Sequence, residues 1–321
     1  MPQTNPAMTL PRSGPFSLDD GDSYAAWRAW KLEAHPREVS ALLVPVEDLA
    51  NPSPAERERI LDLCRRANMA VYDTSGRSGH PGPALERALR GFAASFGMTT
   101  VEDHRSMDEE AVVSIEVVDE SARPRSGFIP YTTRRILWHT DGYYKFGYPG
   151  APVIRSMTLH CARQGKEGGV NELLDPEIAY IRLRDENPDF IRALMAPRAM
   201  TIPEFIEADG RIRPQSTGPV FWVDADTKAL QMRYTERSRN IAWADDPLTS
   251  QAVAFLRQLL RGGDEPFLFR HRMEPGQGLI CNNVLHTRTA FTDWEGKGKG
   301  RLMYRARYSN RIMNTGLQQA A

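Results

Sequence analysis

The sequence has few cysteines and no long apolar run. Its three cysteines, Cys64, Cys161 and Cys281, lie far apart and form no CxxC pair. A scattered, odd set in a chain of this size indicates reduced thiols and is typical of cytoplasmic proteins. No apolar stretch approaches the about 18 residues that a membrane-spanning helix needs, and the first residues lack the basic start and apolar core of a signal peptide. We therefore expect a cytoplasmic protein that does not associate with membranes.

The sequence also has no excess of charge of either sign. Lys plus Arg and Asp plus Glu each number 41, so the formal net charge is zero. Without a global field or a long basic stretch, we expect no binding to nucleic acid, and a nucleic-acid demethylase is a weak hypothesis. The 321 residues are 41% hydrophobic and suffice to bury a core without disulfides. A small molecule is the expected substrate, and a homodimer or homotetramer is left open.

The pattern of apolar residues predicts one domain rather than two autonomous halves. Residues 1–20, rich in Pro, Ser and Thr, are expected to form a poorly ordered tail, and residues 21–321 a single domain with helical insertions. Apolar positions at helical spacing predict helices at 23–35, 53–68, 83–97, 175–195 and 248–263. Apolar and β-branched runs predict strands at 40–46, 69–74, 111–118, 153–163, as a pair within 219–236, and within 265–291 and 301–312. This order indicates an α+β fold around an antiparallel sandwich or barrel.

The segment WHTDGYY contains a histidine and an aspartate two residues apart, His139 and Asp141. In a strand, residues i and i+2 point to the same side, so both side chains can converge on one ion while Trp138 and Thr140 face the other way. An imidazole and a carboxylate together suit a divalent first-row metal. An isolated HxD pair also occurs by chance, and a polar turn between aromatic patches is the alternative. A metal site therefore requires a third ligand from elsewhere in the chain.

The search for that ligand is short because the chain has only seven histidines. Three of them lie in loop-like or charged segments and are interpreted as solvated surface residues: His35, His80 and His104. His160 lies within the apolar run MTLHCAR and is interpreted as a core residue, and the arginines beside His271 would repel a cation. His286 differs, because in PGQGLICNNVLHTRTAF it stands where an apolar strand ends. The sequence therefore favours His286 as the third ligand.

Three of the four alternating positions of RLMYRARY, shortly after His286, are arginines, and the fourth is Met303. Strand alternation places Arg301, Arg305 and Arg307 on one face. Arginines at this spacing are costly unless they are exposed or paired with anions. For Arg307 a basic solvent-exposed face remains an equal alternative, whereas Arg301 is better explained as a planar fork that binds a carboxylate. Two histidines, a carboxylate and an acid-binding arginine match an Fe(II) site with open coordination positions.

These segments, in their order, resemble the taurine / 2,4-dichlorophenoxyacetate dioxygenase family of iron(II)- and 2-oxoglutarate-dependent enzymes. The matching segments are WHTDGYY, EGGVNELLDPEIAY, PGQGLICNNVLHTRTAF and GRLMYRARY, which span about residues 135–310. The strand-then-helix pattern of AVYDT and LERALRGFAASFG also resembles the front of these enzymes. The resemblance implies a double-stranded β-helix, or jelly-roll, core with flanking helices.

The resemblance also implies roles for individual residues. His139, Asp141 and His286 would bind iron, and Arg301 would pair with the distal carboxylate of 2-oxoglutarate. The position that is usually threonine in the family is Asn171 here, whose amide can still donate a hydrogen bond to that carboxylate. Arg305 matches a second family arginine near the active site, which is counted among the 2-oxoglutarate-binding residues and in some members meets an anionic substrate group.

The implied reaction hydroxylates a C–H bond with O2 and 2-oxoglutarate and releases succinate and CO2. An aspartate at position 141, rather than Ala or Gly, argues against a halogenase. We expect a small, anionic organic substrate, because Arg135 and Arg305 suit an anionic group. The other candidate substrate-binding residues are the neighbouring aromatics Tyr131, Tyr143, Tyr144 and Phe146. An equal alternative for these aromatics is a structural cluster beside the site.

Two other protein classes remain open at this stage. One is a metal enzyme of a related β-barrel fold that does not use 2-oxoglutarate, against which Arg301 and Arg305 argue. The other is a non-catalytic binding protein that retains the fold, against which the complete ligand set argues. Succinate formation would separate both from a 2-oxoglutarate-dependent dioxygenase.

Overall fold

The computed structural model describes residues 11–102, 112–117, 129–147, 153–206, 210, 212–237, 241–296 and 298–317. Its six α-helices are α1 Gly21–Ala34, α2 Pro54–Ala67, α3 Pro83–Ala94, α4 Pro176–Glu186, α5 Pro188–Leu194 and α6 Pro247–Gly262. All but α1 begin with proline, which has no N–H to leave unpaired in the first turn. Two 3₁₀ helices span Val39–Leu42 and Ile129–Tyr131.

The predicted helix 175–195 is two helices, α4 and α5. Asn187 separates them with extended backbone angles (φ −158°, ψ 114°) because Pro188 disfavours the helical conformation at the residue before it. The Asn187 side chain then accepts a hydrogen bond from the backbone N–H of Asp189 and caps α5. The other predicted helices are confirmed to within a few residues at their ends.

The larger sheet has six strands: β1 Leu43–Pro45, β2 Met69–Asp73, β3 Val113–Glu116, β5 Ser156–Arg163, β16 Gln277–Cys281 and β19 Leu302–Tyr308. Their order is β1-β2-β16-β5-β19-β3, and every pair except β1/β2 is antiparallel. One face packs against α2 and α3 in a continuous apolar cluster. The predicted strand 40–46 is shorter than expected, because its first half forms the 3₁₀ helix Val39–Leu42.

The smaller sheet has four antiparallel strands: β4 Ile136–His139, β7 Asn171–Leu174, β15 Phe269–His271 and β17 Leu285–Arg288. Their order is β15-β7-β17-β4. Residues beside this sheet form a second apolar cluster with α1, α4, α5 and α6. The two sheets carry the predicted functional residues on β4, β17, β7 and β19 and in the turns beside them.

The remaining strands are short: β6 Glu167–Gly168, β8 Met200–Ile202, β9 Phe205–Ile206, β10 Ile212–Arg213, β11 Ser216–Gly218, β12 Phe221–Val223, β13 Leu230–Met232, β14 Ala242–Trp243 and β18 Phe291–Thr292. The hairpin β12–β13 is the strand pair predicted within 219–236, whereas β8, β9, β10, β11 and β14 were not predicted. Helices and mostly antiparallel sheets together confirm the α+β class.

Two expectations about the amino-terminal part need correction. The poorly ordered tail does not extend to residue 20, because Phe16 and Ser17 are buried and Asp20 caps α1; residues 1–10 lie outside the described residues. His35 is not a surface residue: it is buried, and its Nε2 lies 3.5 Å from Asp175. His80 is exposed as expected, and His104 lies outside the described residues.

No helix among the described residues is long and apolar enough to cross a membrane.

Candidate metal centre

The pairing of β4 with β17 brings two histidines face to face. His286 lies directly opposite His139 in the antiparallel register, and their ring centroids are 4.2 Å apart. His286 lies on β17 itself, not at the end of the preceding strand β16, because Asn283 adopts a left-handed conformation (φ 52°) that separates the two strands. The two imidazoles predicted as ligands are therefore brought together by the smaller sheet.

Asp141 lies in a turn just past β4. Its backbone N–H donates to Oδ1 of Asn283 at 2.8 Å, while Nδ2 of Asn283 donates to the carbonyls of Asp141 and Ile154. Gly142 follows with φ +70°, and a Cβ there would lie 2.6 Å from Ile154, so only glycine fits this turn. Ligand atoms of His139, Asp141 and His286 all lie within 4.8 Å of one another. The convergence predicted for HxD is present, although the aspartate is outside the strand.

Backbone hydrogen bonds fix the tautomers of both histidines. Nδ1 of His139 lies 2.9 Å from the carbonyl oxygen of Leu137, and Nδ1 of His286 lies 2.9 Å from that of Val284. A carbonyl can only accept, so each Nδ1 carries the hydrogen and each Nε2 keeps its lone pair. The buried Oδ2 of Asp141 also has no hydrogen-bond partner among the residues that the structure describes. Two neutral imidazole nitrogens and one carboxylate are a ligand set that suits a divalent first-row metal.

The charges around the site keep these ligands in their metal-binding forms. Burial, reinforced by neighbouring His286, lowers the pKa of His139 to about 3, and burial also lowers the pKa of His286. Burial alone would raise the pKa of Asp141, but Arg305 and then Arg307 hold it below its ordinary value. The histidines are therefore neutral and the aspartate is ionised at physiological pH.

Arg301 and Asn171, the residues predicted to hold 2-oxoglutarate, line the same small cavity with Gly169 and Met303. Arg301 is 7% exposed, stands over the Phe291 ring, and has no ion-pair partner in the described part of the chain. Burial lowers its pKa. Burying an arginine without an anionic partner is costly, and the carboxylate of a ligand bound in this cavity could provide that partner.

The amide of Asn171 has one unused acceptor. Its Nδ2 donates to the carbonyl of Thr287 at 3.2 Å, and its buried Oδ1 has no hydrogen-bond partner in the described part of the chain. Oδ1 is therefore free to accept a hydrogen bond from the guanidinium of Arg301, and the second N–H of Nδ2 could donate to a ligand.

The predicted substrate residues are not all brought to the centre. Tyr143 lies beside it, with its ring centroid 6.5 Å from that of His139 and 5.3 Å from that of Tyr144. Arg135 has an exposed side chain 3.8 Å from Glu172, and Tyr131 is buried in the apolar cluster of the larger sheet. Phe146 is buried against Trp222, which favours the structural alternative for this residue.

Arg305 and Arg307 both reach the centre. Nη1 of each lies 3.5 Å from Oδ1 of Asp141. Arg307 is 6% exposed, and its Nε also lies 2.5 Å from Glu102. The open alternative of a solvent-exposed basic face for Arg307 is therefore wrong. The alternation predicted for RLMYRARY is confirmed from Tyr304 onward, since Tyr304 and Tyr308 on the other face pack into the apolar core. Before it, the register of β19 shifts between Leu302 and Met303.

Two further residues that shape the site were not singled out from the sequence. Asn283 holds the Asp141 turn, and Arg288 donates to the carbonyls of Pro130, Thr132 and Arg134, so it ties the segment before β4 to β17. The only sequence signal for both is their position within NNVLHTR, next to the ligand His286. Their partners are more than 120 residues away in sequence, as with Asn283 and Ile154, so contacts of this kind do not follow from local patterns.

A family model described as taurine catabolism dioxygenase TauD, TfdA family matches residues 81–307, which include all three candidate ligands and Arg301. The chain belongs to the TauD, TfdA family. A uridine-5'-phosphate dioxygenase from Amycolatopsis sp is 31% identical over 235 residues, which cover 71% of this chain and 74% of that protein.

Solved structures show the same fold at low sequence identity. The non-heme iron oxygenase OrfP in complex with Fe has a TM-score of 0.56 and 16% identity, covering 86% of this chain and 92% of that one. An asparagine oxygenase with Fe(II), 2S,3S-3-hydroxyasparagine and succinate has a TM-score of 0.54 and 18% identity, covering 89% of both chains. Membership of the TauD, TfdA family confirms the predicted enzyme class, an iron(II)- and 2-oxoglutarate-dependent dioxygenase.

Proposed function

We propose that this protein hydroxylates a C–H bond of a small anionic organic molecule, using Fe(II), 2-oxoglutarate and O2, with release of succinate and CO2. The observation that carries the proposal is the donor set of His139, Asp141 and His286. Both imidazoles present an unprotonated Nε2, and Asp141 keeps a buried oxygen that no described residue hydrogen-bonds. When bound, iron and 2-oxoglutarate would supply the oxidising chemistry.

The protein's own contribution is to hold and orient these groups. The backbone carbonyls of Leu137 and Val284 fix both imidazoles, and Asn283 fixes the Asp141 turn. Arg301 would bind the distal carboxylate of 2-oxoglutarate inside its cavity. Asn171 would support Arg301 through Oδ1 or reach the same carboxylate through its remaining N–H.

An anionic substrate is supported by Arg305, whose buried Nε has no hydrogen-bond partner among the described residues. Tyr143 and Tyr144 form an aromatic wall beside His139. Arg135, whose exposed side chain lies 3.8 Å from Glu172, would act at the mouth of the site. The Amycolatopsis relative, a uridine-5'-phosphate dioxygenase, is named for an anionic substrate. The structure of OrfP with Fe and alpha-ketoglutaric acid supports the cosubstrate.

We also propose an architecture for the chain. We interpret the two sheets as the core of a double-stranded β-helix within one domain, which the similarity to OrfP and asparagine oxygenase supports. All three cysteines are free and buried, which fits a reducing compartment such as the cytoplasm.

An anaerobic titration tests the proposal directly. Fe(II) plus 2-oxoglutarate should produce a weak visible metal-to-ligand charge-transfer band, which should be absent in His139→Ala and retained in His80→Ala, a control at an exposed histidine. If no band forms in the unmodified protein and 2-oxoglutarate does not bind, the proposal fails. Release of succinate in the presence of a candidate anionic substrate then identifies the molecule that is oxidised. If 2-oxoglutarate is present and no candidate causes succinate release, a non-catalytic binding protein is favoured.

A further inference from the structure

Two arginines converge on one oxygen of the metal centre, and each keeps an unused N–H group. Arg305 and Arg307 both lie 3.5 Å from Oδ1 of Asp141. Nε of Arg305 and Nη2 of Arg307 are buried and form no hydrogen bond within the described residues. Buried polar groups are normally paired, so these two donors indicate a missing acceptor.

The surrounding charges do not balance. Arg305, Arg307 and Lys145 provide three positive charges, whereas Asp141 and Glu102 provide two negative ones. Under the proposed function, Fe(II) and the 2-oxoglutarate dianion would cancel each other, but Arg301 and its neighbours Arg288 and Asp293 would together add one more positive charge. The occupied centre would therefore have a surplus of two positive charges in a largely water-excluded site, where such a surplus is unfavourable.

Arg307 is also held in a fixed position. Its Nε pairs with Glu102, which in turn pairs with Lys145 of the segment after Asp141. Burial alone would lower its pKa, but Tyr144, Asp141 and Glu102 raise it, so the guanidinium stays charged. A rigid, charged fork next to a second guanidinium is the arrangement that binds a phosphoryl group through several oxygens.

We propose that Arg305 and Arg307 form a two-arginine site for a dianionic group, and that the substrate is a phosphate monoester or phosphonate held by this group beside the iron centre. This inference rests on the proposed function for the position of the iron and cosubstrate. It assigns to Arg307 a role in substrate specificity: a monoanion such as a sulfonate would leave one positive charge uncompensated, whereas a dianion would neutralise both.

The competing explanation is a structural brace, in which Arg307 only links β19 to Glu102. If Arg307 is only a brace, removing its guanidinium should lower the affinity for all ligands equally, or for none of them. The dianion site predicts a selective loss for ligands of charge −2. Two small probes of nearly the same shape separate these cases: methyl phosphate, a dianion at pH 8, and methyl sulfate, a monoanion.

The experiment is anaerobic calorimetry on the full chain loaded with Fe(II) and 2-oxoglutarate, after recording the charge-transfer band of each sample. The unmodified protein should bind methyl phosphate at least roughly tenfold more tightly than methyl sulfate. Arg307→Gln should raise the Kd for methyl phosphate by roughly 10- to 100-fold, the usual effect of losing a hydrogen bond between charged groups. The same substitution should raise the Kd for methyl sulfate much less. Arg192→Gln, which removes an exposed ion pair on α5, should change neither.

Each outcome is decisive for one claim. Equal binding of the two probes, or an equal effect of Arg307→Gln on both, overturns the dianion site. If Arg307→Gln does not fold, Arg305→Gln removes the other guanidinium of the pair and should cause the same selective loss for methyl phosphate. A missing charge-transfer band overturns the proposed function, whereas a normal band without selectivity overturns only the role of Arg305 and Arg307.

Discussion

Replacing Asn171 by aspartate tests the placement of the 2-oxoglutarate carboxylate, because it changes charge and almost nothing in shape. Asn171 is 5% exposed, and its Oδ1 has no hydrogen-bond partner. It lines one cavity with Arg301, which has no carboxylate partner among the described residues. In Asn171→Asp the new carboxylate would therefore pair with Arg301 and compete with the 2-oxoglutarate carboxylate for the same guanidinium.

The expected effect is large. Two like charges about 4 Å apart repel by about 4 kcal/mol where the effective dielectric constant is about 20, and every 1.4 kcal/mol corresponds to about tenfold in Kd. Because Arg301 and the cavity lining can relax, part of this energy is recovered. We expect the Kd for 2-oxoglutarate to rise by roughly 100- to 1000-fold, with Fe(II) still bound by His139, Asp141 and His286.

The assay is the anaerobic charge-transfer titration, read against 2-oxoglutarate concentration. Asn171→Thr, which restores the residue usual in the family, should bind 2-oxoglutarate within a few-fold of the unmodified protein. Asn187→Asp is a matched control, since it makes the same amide-to-carboxylate change at the cap of α5 and aspartate caps helices equally well. An Asn171→Asp variant that binds within threefold of the unmodified protein would place the cosubstrate carboxylate elsewhere and refute the reasoning.

Two further predictions concern stability. Lys31 is fully buried and pairs with Asp175 at 2.7 Å, so Lys31→Met should lower the free energy of unfolding by about 3–5 kcal/mol in urea titrations. Arg192→Gln, at the surface, should change the free energy of unfolding by less than about 1 kcal/mol. Equal effects of the two substitutions would contradict a stabilising buried pair. Burial lowers the pKa of His160 from 6.5 to about 4. The unfolded chain therefore binds an extra proton between those values, and stability should fall by about 3 kcal/mol as pH drops from 6.5 to 4. His160→Gln, which can keep a hydrogen bond with Tyr72, should flatten that part of the pH profile, and an unchanged slope would show that other groups cause it.

Local periodicity was sufficient to predict the residues that share one face. The two-residue repeat of RLMYRARY predicted a shared face for Arg301, Arg305 and Arg307, and the structure confirms it for Arg305 and Arg307, which both reach Asp141. The i, i+2 spacing of His139 and Asp141 was also predictive, although Asp141 lies in a turn. These predictions succeeded because the direction of a side chain along a strand depends only on the backbone.

Predictions failed where a residue's surroundings come from distant parts of the chain. His35 was interpreted as a surface residue, yet it packs between Phe267 and Phe269 and faces Asp175. Phe16, in the supposed tail, packs against Tyr180 of α4. Neither contact leaves a periodic signal in the local sequence, because Asp175 and Tyr180 are more than 100 residues away from His35 and Phe16.

The two proposed anion sites differ in a way that would let one segment of the chain serve both cosubstrate and substrate. Arg301 forms no ion pair within the described residues and lines a small cavity, so its charge would be available to a group that is narrow enough to enter. Arg305 and Arg307 already share Asp141 and Glu102, so a single negative charge gains less there than a double one. Arg301 directly precedes β19, and Arg305 lies four residues further along the chain, so an extended backbone would separate the two positions by about 13 Å. Size would therefore select the cosubstrate carboxylate at Arg301, and charge would select the substrate at Arg305 and Arg307.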